Sequence, residues 1–225
     1  MNESKRHIIE NSWIVWYHNP ANTDWGKTSY KDIIEITSIE DYCVLKNSWN
    51  LCLPKVSEGM FFIMRKFKNG TSIFPLWEDT HNINGGCWSF KVLTESCEEI
   101  WFSLMKHVIG ECLVHDTIDY SLINGISISP KKHFSIIKIW LKENNISTIQ
   151  SLLDNTVKFL NVKDSIYTKH SLNIKKDRHK HTNKKYNNNN NNKSNRQNRK
   201  KKGYFNKQDN QYRDFNNKSN NKCSW

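Results

Sequence analysis

None of the six cysteines (Cys43, Cys52, Cys87, Cys97, Cys112, Cys223) forms a Cys-x-x-Cys pair, and the opening residues Met1-Asn2-Glu3-Ser4-Lys5-Arg6 hold no apolar signal core. Together these absences point to a reducing intracellular compartment. No apolar run approaches the roughly 20 residues a membrane span needs, so a soluble protein with no membrane partner is expected. A Gly-rich phosphate loop, a paired His/Cys metal cluster and a Glu-rich hydrolase helix are also missing. His81, His107 and His115 have no nucleophile partner that sequence can identify. The chain therefore reads as a non-enzyme with no cofactor or metal rather than as a nucleotide hydrolase.

What is present divides sharply by charge. Of 34 Lys/Arg and 22 Asp/Glu, residues 171–225 hold 16 and 3, which leaves 18 and 19 for the first 170 residues: a net of −1 against +13. The C-terminal part also contains the unbroken run Asn187 to Asn192 and the basic cluster Arg199-Lys200-Lys201-Lys202, with few aliphatic residues to bury. Such composition predicts disorder. We divide the chain into a folded domain, 1–176, and a disordered basic Asn/Lys-rich tail, 177–225. At 225 residues it is long enough for one well-filled core plus such an appendage.

Within the first 170 residues, Ser12-Trp13-Ile14-Val15-Trp16-Tyr17 is aromatic and β-branched and ends at Asn19-Pro20, which predicts a strand and a turn. A loop holding Trp25 follows. Thr37-Ser38 then precedes acids and apolar residues at helical spacing, predicting a first helix, and a second is predicted from Thr94 to Gly110. Strands are expected over 60–67 and 88–93, a hairpin over 121–129 and 135–141, and a third helix over 147–160. Trp13, Trp16, Trp88 and Trp101 read as core packing, and Trp49 as packing or partial exposure.

The stretch that points to a ligand is Pro75-Leu76-Trp77-Glu78-Asp79. An indole face stacks on a base, and a neighbouring carboxylate accepts two parallel hydrogen bonds from the N1–H and N2–H edge of guanine.

Several separated segments, in order, resemble the cap-binding translation initiation factor 4E family over roughly residues 7–176. They are Asn11 to Tyr17, the Trp25 loop, Ile39-Glu40-Asp41-Tyr42, Pro75 to Asp79 running on to Gly85-Gly86-Cys87-Trp88, Ile109-Gly110-Glu111 and Ile137-Lys138-Ile139-Trp140. The resemblance implies an α+β fold: a curved antiparallel sheet of about eight strands, three helices on its convex face, and the ligand in the concave face. It implies a protein that binds the 7-methylguanosine cap of mRNA in translation initiation. Trp25 and Trp77 match the two tryptophans that sandwich the base, Glu78 the carboxylate on the guanine edge, and Trp140 the residue against the N7-methyl group. N7 methylation makes the base cationic, so a cation–π contribution of about 2 kcal/mol adds to stacking when the pair is desolvated. Lys131 matches a phosphate-binding arginine, with Lys132 and His133 beside it. Lys169, Lys175 and Lys176 lie near the family's mobile C-terminal loop, from which Lys175 and Lys176 are further phosphate candidates.

The sequence also departs from that pattern. Ile136 stands where a second phosphate-binding lysine is usual, Cys87 where another cation is common, and Lys131 replaces a forked guanidinium with a point charge. On the back surface, the family's partner-peptide site maps to His7, Ile39, Cys43, Phe102 and Lys106. His7 and Ile39 match, but Cys43 replaces the central tryptophan, Ile8 a proline, Ser103 an acid and Lys106 a leucine. Loss of such an anchor is worth about 2 kcal/mol or more at a helix-in-groove interface. Capped mRNA and an altered 4G-like scaffold or other 4E-binding protein are the expected partners of a monomer. Two alternatives stay open: a translational repressor or partner-switched competitor, and a general RNA-binding protein acting through its tail. The expected location is the cytoplasm, with nuclear entry allowed by Arg199 to Lys202.

Overall fold

The computed structural model of the chain describes residues 6–115, 118–143, 149 and 152–176. The chain separates into two units, Met1–Asp177 and Arg178–Trp225. The second unit, and with it the tail expected to be disordered, lies outside the described residues.

The first unit is built on one open, curved sheet of seven described antiparallel strands in the order β2-β1-β3-β5-β6-β4-β7. These are β1 (Ile8–His18), β2 (Tyr30–Ser38), β3 (Met60–Lys66), β4 (Gly86–Leu93), β5 (Ile123–Pro130), β6 (Phe134–Leu141) and β7 (Ile166–Lys169). Helix α1 (Ile39–Cys52) joins β2 to β3, and α2 (Cys97–Ile109) joins β4 to β5. Residues 170–176 are also helical and form α3. Helix α1 begins where the hydroxyl and acid residues predict. Ser38 accepts from the Asp41 amide at 3.3 Å while the Asp41 carboxylate accepts from the amides of Ser38 and Thr37, a reciprocal capping box. Helix α2 stops at Gly110, as expected.

Strand alternation sorts the side chains into two layers. Trp13 and Val15 of β1, Phe61 and Ile63 of β3, and Ile137 and Ile139 of β6 enter the main core with Trp49 of α1 and Trp101 of α2. The intervening Trp16, Phe62, Met64 and Trp140 form a second, smaller cluster on the face opposite α1 and α2. Trp16 is thus buried as predicted, but beneath the other face. At Gly125 a Cβ would lie 2.2 Å from the Ile63 carbonyl oxygen, so only glycine lets β5 approach β3 this closely.

The expected helix over 147–160 is not observed in the described part of that range. Residues 152–160 form turns and one bridge, Val114 to Leu153, while residues 147, 148, 150 and 151 lie outside the described residues. Leu152, Val157 and Leu160 still enter the main core. Their apolar spacing reflects burial of successive turns rather than a helix face, because Asp154 and Asn161 cap local turns that compete with helical hydrogen bonding.

Candidate functional site

Two loops and residues of β1, β2, β3, β5 and β6 build the site on the side opposite α1 and α2. The first loop carries Trp25 and is shaped by side chains folding back on their own backbone. Asn22 accepts from the Asp24 amide, and Asp24 accepts from the Gly26 amide, each at 2.9 Å. His18, fully buried at the end of β1, places its Nε2 2.8 Å from the Asp24 carbonyl oxygen. A carbonyl only accepts, so that nitrogen carries the proton and donates. The His18 ring also lies parallel to the Trp25 indole, 4.3 Å between centroids, leaving Trp25 half exposed.

The second loop carries Trp77 and Glu78, and it is held by polar residues that sequence reasoning did not single out. Asn82 is fully buried and donates to the carbonyls of Phe74 (2.9 Å) and Leu76 (2.8 Å). Asn124 of β5 donates in turn to the His81 carbonyl at 2.7 Å and to Asn82 Oδ1 at 2.9 Å. The Asp79 carboxylate accepts from the amides of Phe74 and His81. These hydrogen bonds, together with the packing of Phe74, Leu76 and Trp77 against the second cluster, fix where Trp77 and Glu78 emerge. Trp77 is half-buried against the second cluster. Glu78 is exposed and makes no hydrogen bond or ion pair with another described residue.

Tyr30 links the two loops indirectly: its ring is 4.9 Å from His18, which stacks on Trp25, and it belongs to the cluster against which Trp77 packs. Burial raises its phenol pKa well above the ordinary range, and the negative charges of Glu78 and Asp24 raise it further. An aromatic floor runs on from there: Trp25, His18, Tyr30, Phe62, Trp140 and His170, with successive centroids 4.3, 4.9, 5.5, 6.3 and 4.9 Å apart. Trp140 is only 2% exposed, its Nε1 donating to Ser127 Oγ at 2.9 Å, and His170 packs against it. It therefore belongs to the floor more than to the open surface.

The cations are spread more widely than the sequence suggests. Lys131, Lys132 and His133 are exposed at the β5–β6 turn, and Lys169, Lys175 and Lys176 are exposed around β7 and α3. Lys138, not singled out as a site residue, lies on the same face as Trp140 with its Nζ 5.7 Å from the Trp77 ring centroid. Its position was legible, since two residues back from Trp140 on a strand is the same face. Lys27 similarly stands over Phe74, 5.1 Å from its centroid. Among the described residues no group of His, Cys, Asp and Glu is arranged to hold a metal.

On the opposite surface, His7 contacts Glu40 through its amide (3.0 Å) and Nδ1 (2.7 Å). Ile39 is half exposed, and Cys43 and Lys106 are exposed. Phe102 differs from the expectation of a surface residue. It is 7% exposed, edge-on to Trp49 at 5.3 Å, because the α1–α2 contact needs a large apolar side chain there.

An open antiparallel sheet whose bare face carries stacked aromatics, an unengaged carboxylate and rim cations defines a ligand-binding protein suited to a flat, polar-edged ring. A family model described as eukaryotic initiation factor 4E matches residues 8–203, and the chain belongs to that family. It is 31% identical to eukaryotic translation initiation factor 4E-1 of Hordeum vulgare over 71% of this chain and 72% of that protein. It is 29% identical to the Eremothecium gossypii factor 4E over 61% of this chain, a match that spans 63% of that relative's length. Among solved structures, eIF4E-3 of C. elegans in complex with the 4E-binding protein Mextli has the same fold at a TM-score of 0.60 and 18% identity, covering 74% of this chain and 95% of that one. Ascaris suum eIF4E-3 with an m7G cap aligns at a TM-score of 0.52 and 20% identity, over 63% of this chain and 76% of that one.

Proposed function

We propose that this chain binds the 7-methylguanosine cap of messenger RNA without altering it chemically, and acts in translation initiation in the cytoplasm. The observation that carries this reading is that both indoles adjoin one aromatic cluster: Trp25 stacks on His18, which lies 4.9 Å from Tyr30, and Trp77 packs against the cluster that contains Tyr30. The two indoles supply flat faces for a cationic base, and Glu78 supplies an acceptor for its N1–H and N2–H donors. Trp140 supports the floor beneath, Lys131, Lys132, Lys175 and Lys176 supply positive charge for the phosphates, and His133 lies beside Lys132 as a further hydrogen-bonding group. Relatives have been seen with cap analogues and with 4E-binding proteins. A partner of the second kind fits α1, where Ile39, Cys43, Val44 and Leu51 are exposed without an aromatic anchor.

Tryptophan fluorescence titration with 7-methyl-GTP and GTP tests the reading. The methylated nucleotide should bind at least tenfold more tightly, since a desolvated cation–π contribution of about 2 kcal/mol exceeds one decade. Trp77→Ala and Glu78→Ala should each cost tenfold or more. Equal binding of the two nucleotides, or full binding by both variants, rules the reading out.

A further inference from the structure

The sites that the family resemblance assigns to phosphate cations are poor in charge here, and the sheet register shows what surrounds the gap. Ile136 carries no charge. The Cys87 thiol is buried and its pKa pushed up by desolvation, with Lys138 opposing that shift, so it supplies no cation. Two lysines flank the missing charge on the same face. Lys91 of β4 is paired directly across from Ile136, and Lys138 is two residues further along β6. Lys91 holds its Nζ over the Phe134 ring at 4.7 Å, toward the hairpin end. Lys138 points the other way, over Trp77. Its strand neighbours are Ser89 and Ser127, both short, so its stem has room to move. Among the described residues no ion pair engages it.

We propose that Lys138 is the phosphate-contacting cation that replaces the missing charge at Ile136, and that without ligand its ammonium holds the Trp77 face a methylated base would take. The inference rests on the cap-binding reading above. An ammonium over an indole is attracted by the ring's negative face, as a methylated guanine is. Both cations cannot share that face, so base entry displaces the ammonium. The flexible four-carbon stem then lets it reach the phosphate chain that the same ligand brings. A methylated nucleoside brings positive charge to Lys138 and no anion in exchange. A methylated triphosphate brings both. Lys138 therefore opposes the bare nucleoside and favours the triphosphate, an effect of opposite sign on two ligands that share one base.

The test is fluorescence titration of the full chain, Lys138→Ala and Lys138→Arg with 7-methylguanosine, 7-methyl-GTP and GTP, with thermal melts confirming that each variant is folded. Lys138→Ala should lose roughly tenfold in 7-methyl-GTP affinity, as expected for one charge-assisted contact, while its affinity for 7-methylguanosine stays level or rises. Lys138→Arg should keep the triphosphate affinity. An equal loss for nucleoside and triphosphate would overturn the proposal and make Lys138 a packing residue. Unchanged triphosphate binding in Lys138→Ala would overturn it too. If the parent chain fails to separate 7-methyl-GTP from GTP, the cap reading itself falls and this inference with it. That outcome is distinct from the other two, in which the parent discriminates normally.

Discussion

At Asn82 a single buried amide holds the backbone of the loop that carries Trp77. Its Nδ2 donates to two carbonyls of the Trp77 loop, and its Oδ1 accepts from Asn124. Asn82→Ala removes all three bonds and leaves buried groups unpaired, a loss of about 2–3 kcal/mol at roughly 1 kcal/mol per bond. We expect a lower urea midpoint together with weaker 7-methyl-GTP binding. A variant as stable as the parent would show that water replaces the amide. Residues of this kind explain what the sequence left unread. Trp77 and Glu78 stand out because their side chains have ligand chemistry of their own. Asn82, Asn124 and His18 act through the loop backbone and side chains they hold, and their partners lie up to 43 residues away in sequence. Lys138 was open to counting, but its relation to Trp77 depends on how the second loop folds over β6.

Elements were legible where pattern and packing agree. Strands β1, β4 and β6 alternate along part of their length, β3 and β5 are buried on both faces for most of theirs, and α1 carries its own capping box. Strand β2 is solvated along much of its length and β7 has only four residues at the sheet edge, so neither makes a strong period-two signal. The junction of β7 and α3 places His170 against Trp140, fully buried, with neither ring nitrogen in a close hydrogen bond. Burial, and then the charge of Lys138, push its pKa down from about 6.5 to about 4. The folded state therefore favours the neutral ring. Above pH 6.5 this carries no penalty, but between pH 6.5 and 4 the unfolded chain binds a proton that the folded one does not, so stability falls as pH falls. The difference is on the order of 2 kcal/mol by pH 5. His170→Phe keeps an aromatic ring against Trp140 and removes the titration. Its urea midpoint should fall less than that of the parent between pH 7 and pH 5, and parallel falls would show that His170 does not carry the effect.

At the scale of the whole molecule, charge and fold are divided along the chain. The nearly neutral folded unit holds the cap-site candidates, whereas residues 177–203 carry ten Lys/Arg against one acid and residues 204–225 four against two. The family match extends to residue 203, into that first basic stretch. Two truncations separate the contributions. A chain ending at residue 203 keeps most of the basic charge, and one ending at residue 176 keeps only the folded unit. Because the tandem indoles and Glu78 lie within residues 25–78, 7-methyl-GTP should bind both truncations within about threefold of the parent at 150 mM salt, where exposed charges more than ~8 Å away are screened. A longer capped RNA should behave differently. Each phosphate neutralised by a lysine or arginine contributes about 0.7 to the slope of log affinity against log salt on a single strand. The slope should therefore change little on removing 204–225 and fall markedly on removing 177–225. Loss of 7-methyl-GTP binding in the shorter chain alone would move part of the cap site into residues 177–203. Loss of capped-RNA binding with intact 7-methyl-GTP binding would make those residues an RNA arm that prolongs the hold begun at the cap.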